Sequence, residues 1–206
     1  NERNEIMSSV KISQRNTKLG NIPSVSLPAV VTCRECDCHQ KCYARKLERL
    51  RPAVRNAYRH NLEVLQNDPD TYWREVEAAI MLTRFFRFHV SGDIPNEKYL
   101  DKMVEVAERN QHCQILCFTK KYEIVNNHIA DNWGIPDNLR VIFSAWDNLP
   151  VDNPYNLPVA YVRFRDGHTD APENAINCGG NCSECASTDG GCWTLEVGEA
   201  VVFDEH

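Results

Sequence analysis

From about residue 42 to residue 130 the chain alternates between two patterns, apolar positions at helical spacing and short apolar runs. Val54, Tyr58, Leu62 and Leu65 predict a helix after Pro52. Asp68-Pro69, a capping residue followed by proline at the first helical position, predicts the start of a second helix. Tyr72, Val76, Ala79, Ile80 and Thr83 carry it to about residue 84. Residues 84–90 then read as a strand, 97–109 as a helix, 114–118 as a strand and 122–130 as a helix. Gly134-Ile-Pro-Asp makes a turn, and 140–145 and 159–164 read as further strands, with residues 147–157 between them as irregular loop. Residues 24–32, carrying Val25, Leu27, Val30 and Val31, predict a buried strand ahead of the series.

Short links between alternating strands and helices mark right-handed βαβ units and a parallel sheet. The fold class is therefore α/β, and about five parallel strands suit an open partial barrel rather than a closed one of eight. In such a barrel one face of each strand meets helices and the other lines the interior. Residues 84–91 divide into Phe86, Phe88 and Val90 against Arg87, His89 and Ser91, and the last strand into Val162 and Phe164 against Arg163 and Arg165. Since a structural parallel strand is apolar on both faces, the charged sets predict a polar cavity, or arginines paired with interior carboxylates. Residues 1–20, polar and without a period, read as a loosely held arm; 21–170 as the partial barrel; and 171–206 as a C-terminal cysteine-rich metal-binding segment.

The 206 residues suffice for one full core without disulfide staples. No apolar stretch approaches the roughly 20 residues of a membrane span, and the start Asn1-Glu-Arg-Asn-Glu has no apolar signal region. The expectation is a cytoplasmic protein without membrane contact and with reduced thiols; a secreted protein with five disulfides is the alternative. A net charge of −6 argues against general nucleic-acid binding. Lys41, Arg45, Lys46, Arg49, Arg51, Arg55 and Arg59 form a local basic run, which reads first as the solvated side of a helix.

Eight of the ten cysteines fall into two knots. One is Cys33-Arg-Glu-Cys36-Asp-Cys38-His-Gln-Lys-Cys42; the other is Cys178, Cys182 and Cys185 with Cys192. Four thiols so close in sequence converge on one metal centre at little loop-closure cost, and thiolate sets suit iron–sulfur clusters or zinc. The first knot follows the first strand and the second follows the last, so both are expected at the C-terminal edge of the sheet, sharing one mouth. Cys113 and Cys117 fall on one side of a strand and read as buried small hydrophobes. His89 is a candidate interior acid–base group, and His39 lies among the ligand candidates. Asp93, Thr119, Lys120, Trp146, Asp147, Arg165 and His168 stand at or just past strand ends; Lys120 and Arg165 are suited to an anionic substrate.

A cysteine-rich loop after the first strand of a partial βα barrel resembles the radical SAM superfamily. That resemblance implies a four-iron cluster on Cys33, Cys38 and Cys42, with Cys36 as a fourth ligand or a spare. It places Ser91, Gly92 and Asp93 at the methionine end of a bound S-adenosylmethionine. By their strand faces and strand-end positions, Arg163 and Arg165 are further cofactor-contact candidates, and Asp93, Lys120 and His89 are the catalytic candidates. The superfamily's spacing, Cys-x3-Cys-x2-Cys, stands instead at Cys178, Cys182 and Cys185, where Cys192 would complete a second 4Fe–4S cluster. The series Cys33…Cys38…Cys42-Tyr43-Ala44 with a distal Cys-x-x-Cys and Cys192-Trp193 resembles a cysteine-rich gene-product family of phages and mobile elements, which implies a host-cytoplasmic setting. The expectation is a two-cluster iron–sulfur protein, a radical-SAM-like enzyme or its degenerate relative, fed by an electron donor and acting on an unidentified substrate. A zinc-stabilised phage-type interaction module and an electron-transfer protein are the alternatives.

Overall fold

Strand β1 (Ser24–Val25) is short because Pro28 follows at once. Thr32 Oγ1 donates to the Pro28 carbonyl at 2.9 Å, closing a single helical turn, α1 (Ala29–Thr32). The strand expected over residues 24–32 is thus a two-residue strand and a turn, and Val30 and Val31 are 56% and 50% exposed. The computed structural model describes residues 9–33, 37–147 and 149–205.

Helices α2 (Tyr43–Leu50) and α3 (Pro52–Asn67) break at proline as expected. Helix α4 (Pro69–Met81) is capped by Asp68, which accepts from the Thr71 backbone N–H at 3.0 Å. There follow β2 (Phe85–Phe88), α5 (Glu97–Arg109), β3 (Gln114–Thr119), α6 (Tyr122–Asn132), β4 (Leu139–Ser144) and β5 (Val159–Arg163). The link from β4 to β5 contains no helix, as the irregular 147–157 segment implied. The C-terminal segment supplies β6 (Ile176–Asn177), α7 (Cys182–Ser187) and β7 (Ala200–Asp204).

All seven strands are parallel, in the order β1-β2-β3-β4-β5-β7-β6. The sheet has two more strands than the five expected, both from the cysteine-rich end, with β7 inserted between β5 and β6. An order that advances in one direction from β1 to β5 puts right-handed crossovers on a single face. That face carries the larger core, where Phe86, Phe88, Ile115, Cys117, Val141 and Phe143 meet Val76, Ile80, Leu100 and Met103. The other face carries no crossover helix. Leu116, Ile142, Ala160 and Val201 project there against Leu19, Ile22, Trp193 and Leu195, and the second cysteine knot packs on them.

Residues 9–20 are held rather than loose. Val10 and Leu19 are buried, Lys11 N–H donates to Asn61 Oδ1 at 2.7 Å, and Asn61 Nδ2 donates to the Lys11 and Ser26 carbonyls. Residues 1–8 lie outside the described residues. No helix among the described residues is long and apolar enough to cross a membrane.

Candidate functional site

A cavity of about 730 Å³ opens on the face without crossover helices, at the C-terminal ends of β2 to β5 and β7. Position along β2 sets its walls. Arg87 projects into it while Phe86 and Phe88 turn to the helices, as alternation demands. At His89 the alternation fails, because this residue adopts a left-handed backbone (φ +59°). Its ring therefore lies against Tyr99 of α5, with Nε2 3.1 Å from the Tyr99 hydroxyl, while the residue still borders the cavity. Burial and the nearby Arg87 charge lower its pKa to about 3. An imidazole that stays neutral at ordinary pH and holds a proton so weakly is a poor general acid or base. Val90, past the reversal, joins the face without crossover helices rather than that of Phe86 and Phe88.

Ser91, Gly92 and Asp93 do line the cavity. Gly92 has φ +84°, and a Cβ there would stand 2.6 Å from the Leu27 carbonyl oxygen, so only glycine lets the ends of β1 and β2 approach this closely. The buried Asp93 carboxylate accepts from Thr119 Oγ1 at 2.5 Å, Ile94 N–H at 2.7 Å and Lys120 N–H at 3.0 Å, while its own N–H donates to Thr32 Oγ1. Burial raises its pKa despite these bonds. With its oxygens engaged, Asp93 ties together the loops after β1, β2 and β3, a positioning role. Lys120 reaches the rim with Nζ 5.8 Å from the Trp146 ring centre.

Cys33, Cys38 and Cys42 line the same cavity. Burial, Asp93 and Cys42 push the Cys33 thiol up to about 12, and Lys121 Nζ donates to the Cys33 carbonyl at 3.5 Å. Cys38 is disulfide-bonded, so it offers a thiolate only once that bond is reduced. Cys36 lies outside the described residues, as does the side chain of His39.

The second knot does not line the cavity but sits behind its wall. Asn181 caps α7, accepting from Ser183 and Glu184 N–H, and Trp193 Nε1 donates to the Cys182 carbonyl at 3.0 Å while its ring packs on Phe85 at 5.0 Å. Gly191 (φ +64°) clears the way for Cys185, whose sulfur would be 2.8 Å from a Cβ there. The four thiols lie near enough to share charge: burial first, then Cys178, Cys182 and Cys185, push Cys192 up to about 12. Gly180 N–H points at Cys178 Sγ (3.4 Å) and Arg87 Nη1 at Cys182 Sγ (3.8 Å). Lys18, whose pKa is lowered by burial and by Arg87, is raised in turn by Cys178, Cys182 and Cys192. Lys18 and Arg87 also line the cavity, lying over the Phe203 and Phe118 rings at 4.8 and 4.7 Å. The two knots therefore flank one chamber, with two cations as the partition, instead of sharing one mouth.

The family model described as Gene product 88 matches residues 4–191. The chain belongs to the Gene product 88 family. It is 27% identical over 184 residues to the Gene 88 protein of Mycobacterium phage L5, covering 79% of this chain and 75% of that one. No solved structure matches.

In this Gene product 88 member the two remaining arginine expectations fail. Val162 and Phe203, not Arg163, face the cavity, and Arg163 binds Asp204 at 3.2 Å and Asn177 at 2.7 Å near the surface. Arg165 lies in a separate groove with α2 and α3. The faces of β5 are reversed relative to expectation because Arg163 pairs with Asp204 of β7, a strand that sequence patterning did not supply. Asp147 and His168 miss the cavity too; with Asp170 they form, among the described residues, the one trio of potential ligand atoms within 4.8 Å of each other, all at the surface. Cys113 and Cys117 are fully buried, as expected. Lys18 and the buried Glu48 were not foreseen. Glu48 Oε1 accepts from Ala29 N–H at 2.9 Å and Ser91 Oγ at 2.6 Å, and its place in a strongly basic helix is the sole sequence hint of this.

Proposed function

We propose that this Gene product 88 protein carries two iron–sulfur clusters on a radical-SAM-like open half barrel, with the chamber between them as the place of reaction. The observation that carries the reading is the partition. Lys18 and Arg87 line the chamber that Cys33, Cys38 and Cys42 border, and both feel the charge of the second knot. Arg87, buried, and Lys18, half-buried, stand side by side at this partition, a setting that favours metal-bound thiolates over neutral thiols on the second knot.

The donor sets fit such groups. Among the described residues no three cysteine sulfurs lie within 4.8 Å of each other. A single tetrahedral zinc, with Zn–S near 2.3 Å, draws its sulfurs to roughly 3.8 Å apart, closer than either knot holds three of them here. When bound, a cluster with one iron free of protein ligand supplies an electron and an open coordination position, whereas one held by four cysteines passes charge. The chain's own contribution is placement. Asp93 fixes the Thr119–Lys120 loop, Glu48 fixes Ser91, and Gly92 leaves bare backbone where the resemblance puts the methionine end of S-adenosylmethionine.

The test is protein purified without oxygen. It is expected to be brown, with about four irons per cluster. Cys192→Ser is expected to remove one cluster and Cys42→Ser the other. Reductant and S-adenosylmethionine should then yield 5′-deoxyadenosine, and its absence would limit the likeness to architecture. Colourless protein with stoichiometric zinc would instead establish a zinc-stabilised interaction module. That second reading draws on the hydrogen-bonded Asp93 carboxylate and the neutral His89.

A further inference from the structure

Beside the chamber, and sharing Lys41, Cys42 and Glu205 with it, α1, α2, α3 and the residues after β5 enclose a groove of about 750 Å³. Sequence patterning assigns the basic run of α2 and α3 to a solvated helix face; most of it is exposed, and all but Arg51 lines this concavity. Arg45 and Arg49 are one turn apart on α2, Arg55 and Arg59 one turn apart on α3, and both pairs line the groove. Arg165 reaches it from the far end of the chain. Arg55 and Arg59, like charges one turn apart on α3, destabilise that helix slightly, a cost that a bound anion relieves. Two carboxylates border the groove and both are engaged, Glu48 with Ala29 and Ser91, and Glu205 with Lys41 at 3.8 Å. Arg55 Nε is buried with no hydrogen-bond partner among the described residues. The half-exposed Val30 and Val31 of α1 lie in the same wall.

We propose that this groove docks an acidic segment of a partner polypeptide. Guanidinium groups bind carboxylates in a forked geometry, and an arginine set is the apt receptor for several of them. The apolar pair decides between carriers of negative charge. Exposed valines ringed by cations suit a peptide with apolar side chains among its acids, whereas a phosphate backbone has little to place on them. Charge range points the same way. A short segment feels only the local field within a screening length of about 8–10 Å, while a duplex extends over the rest of a chain whose net charge is −6. The inference needs no metal at either knot.

Fluorescence anisotropy with the full chain and a short fluorescein-labelled peptide alternating glutamate and leucine provides the test, with single-stranded and duplex DNA as comparison ligands. Saturable, salt-sensitive binding of the peptide is expected. The double variant Arg49→Glu, Arg59→Glu should weaken it about tenfold, the effect of losing about 1.4 kcal/mol, while Arg49→Lys retains most of it. Val30→Ser with Val31→Ser, both at half-exposed positions, should weaken the peptide without changing its salt dependence. Absent peptide binding at low salt, tighter binding of DNA, or indifference to either the charge reversal or the valine changes would each overturn the proposal.

Discussion

His89 shows how one residue redirects a strand. Alternation along residues 84–91 puts Arg87 and His89 on a common face, and the reading holds for Arg87. The left-handed backbone at His89 then turns its ring to Tyr99, a reversal that no composition rule announces for a histidine. Its burial carries a stability consequence whose sign can be worked out. The folded pKa near 3 lies below the unfolded value near 6.5, so the unfolded chain takes up the proton first as pH falls. The neutral ring's contribution is fully present above about pH 6.5 and lost below it, at up to about 1.4 kcal/mol per pH unit. Asp93, raised by burial, acts in the opposite sense, losing its contribution as pH rises. A comparison with His89→Asn, which tolerates the left-handed backbone, cancels that background. Denaturant midpoints measured from pH 7 to pH 4.5 should show the parent protein losing more stability than the variant; parallel curves would refute the assignment.

The long elements were legible in the sequence, the short ones much less so. Helices α3 to α6 declare themselves because Asp68-Pro69 and a sustained 3.6-residue stripe are local signals. Strands β2 to β5 follow from apolar runs within a residue or two. The run Val30-Val31 misleads because the proline ahead of it closes a turn, and its side chains end in solvent. Strand β7 escapes because a short apolar run after a cysteine-rich loop gains its meaning only from β5 and β6 on either side. The clamp from α2 was likewise invisible, since it joins residues 19 and 43 positions apart. It can be measured. Glu48→Ala leaves the Ala29 N–H and the Ser91 hydroxyl without their acceptor at a buried site, at a cost of about 2–4 kcal/mol. For a chain of this size each kcal/mol shifts the melting temperature by about 2–4 °C. Glu48→Gln keeps an oxygen at that position and should recover more than half of the loss. Equal melting temperatures for the two variants would mean that the shared acceptor does not hold the loop.

At the scale of the whole molecule the sheet separates two kinds of cysteine. Cys113 and Cys117 stand on or beside β3 against the helices, fully buried, with burial raising Cys113 to about 12 and Cys117 higher still. The knot thiols lie on the opposite face or at the strand ends, and Cys33, Cys42, Cys178, Cys182, Cys185 and Cys192 are all partly accessible. Spacing alone sorts the eight knot cysteines from the other two, but not the partition of Lys18 and Arg87, because Lys18 comes from the N-terminal arm and meets Arg87 only in the folded chain. Thiol labelling can read this division directly. In anaerobic, reduced protein that retains its metal, iodoacetamide should modify few cysteines, because ligated thiolates are held by the metal. After the metal is stripped with a chelator, the six accessible knot thiols should label while the protein stays folded. Cys113 and Cys117 should label only on unfolding, because both are fully buried and the reagent does not reach them, whereas the knot thiols are partly accessible. Peptide mass spectrometry separates the outcomes: labelling of Cys113 together with the knots would mean that the sheet opens without metal. Equal labelling of the knots before and after stripping would mean that no metal guards them, and the two-cluster reading would fail with it.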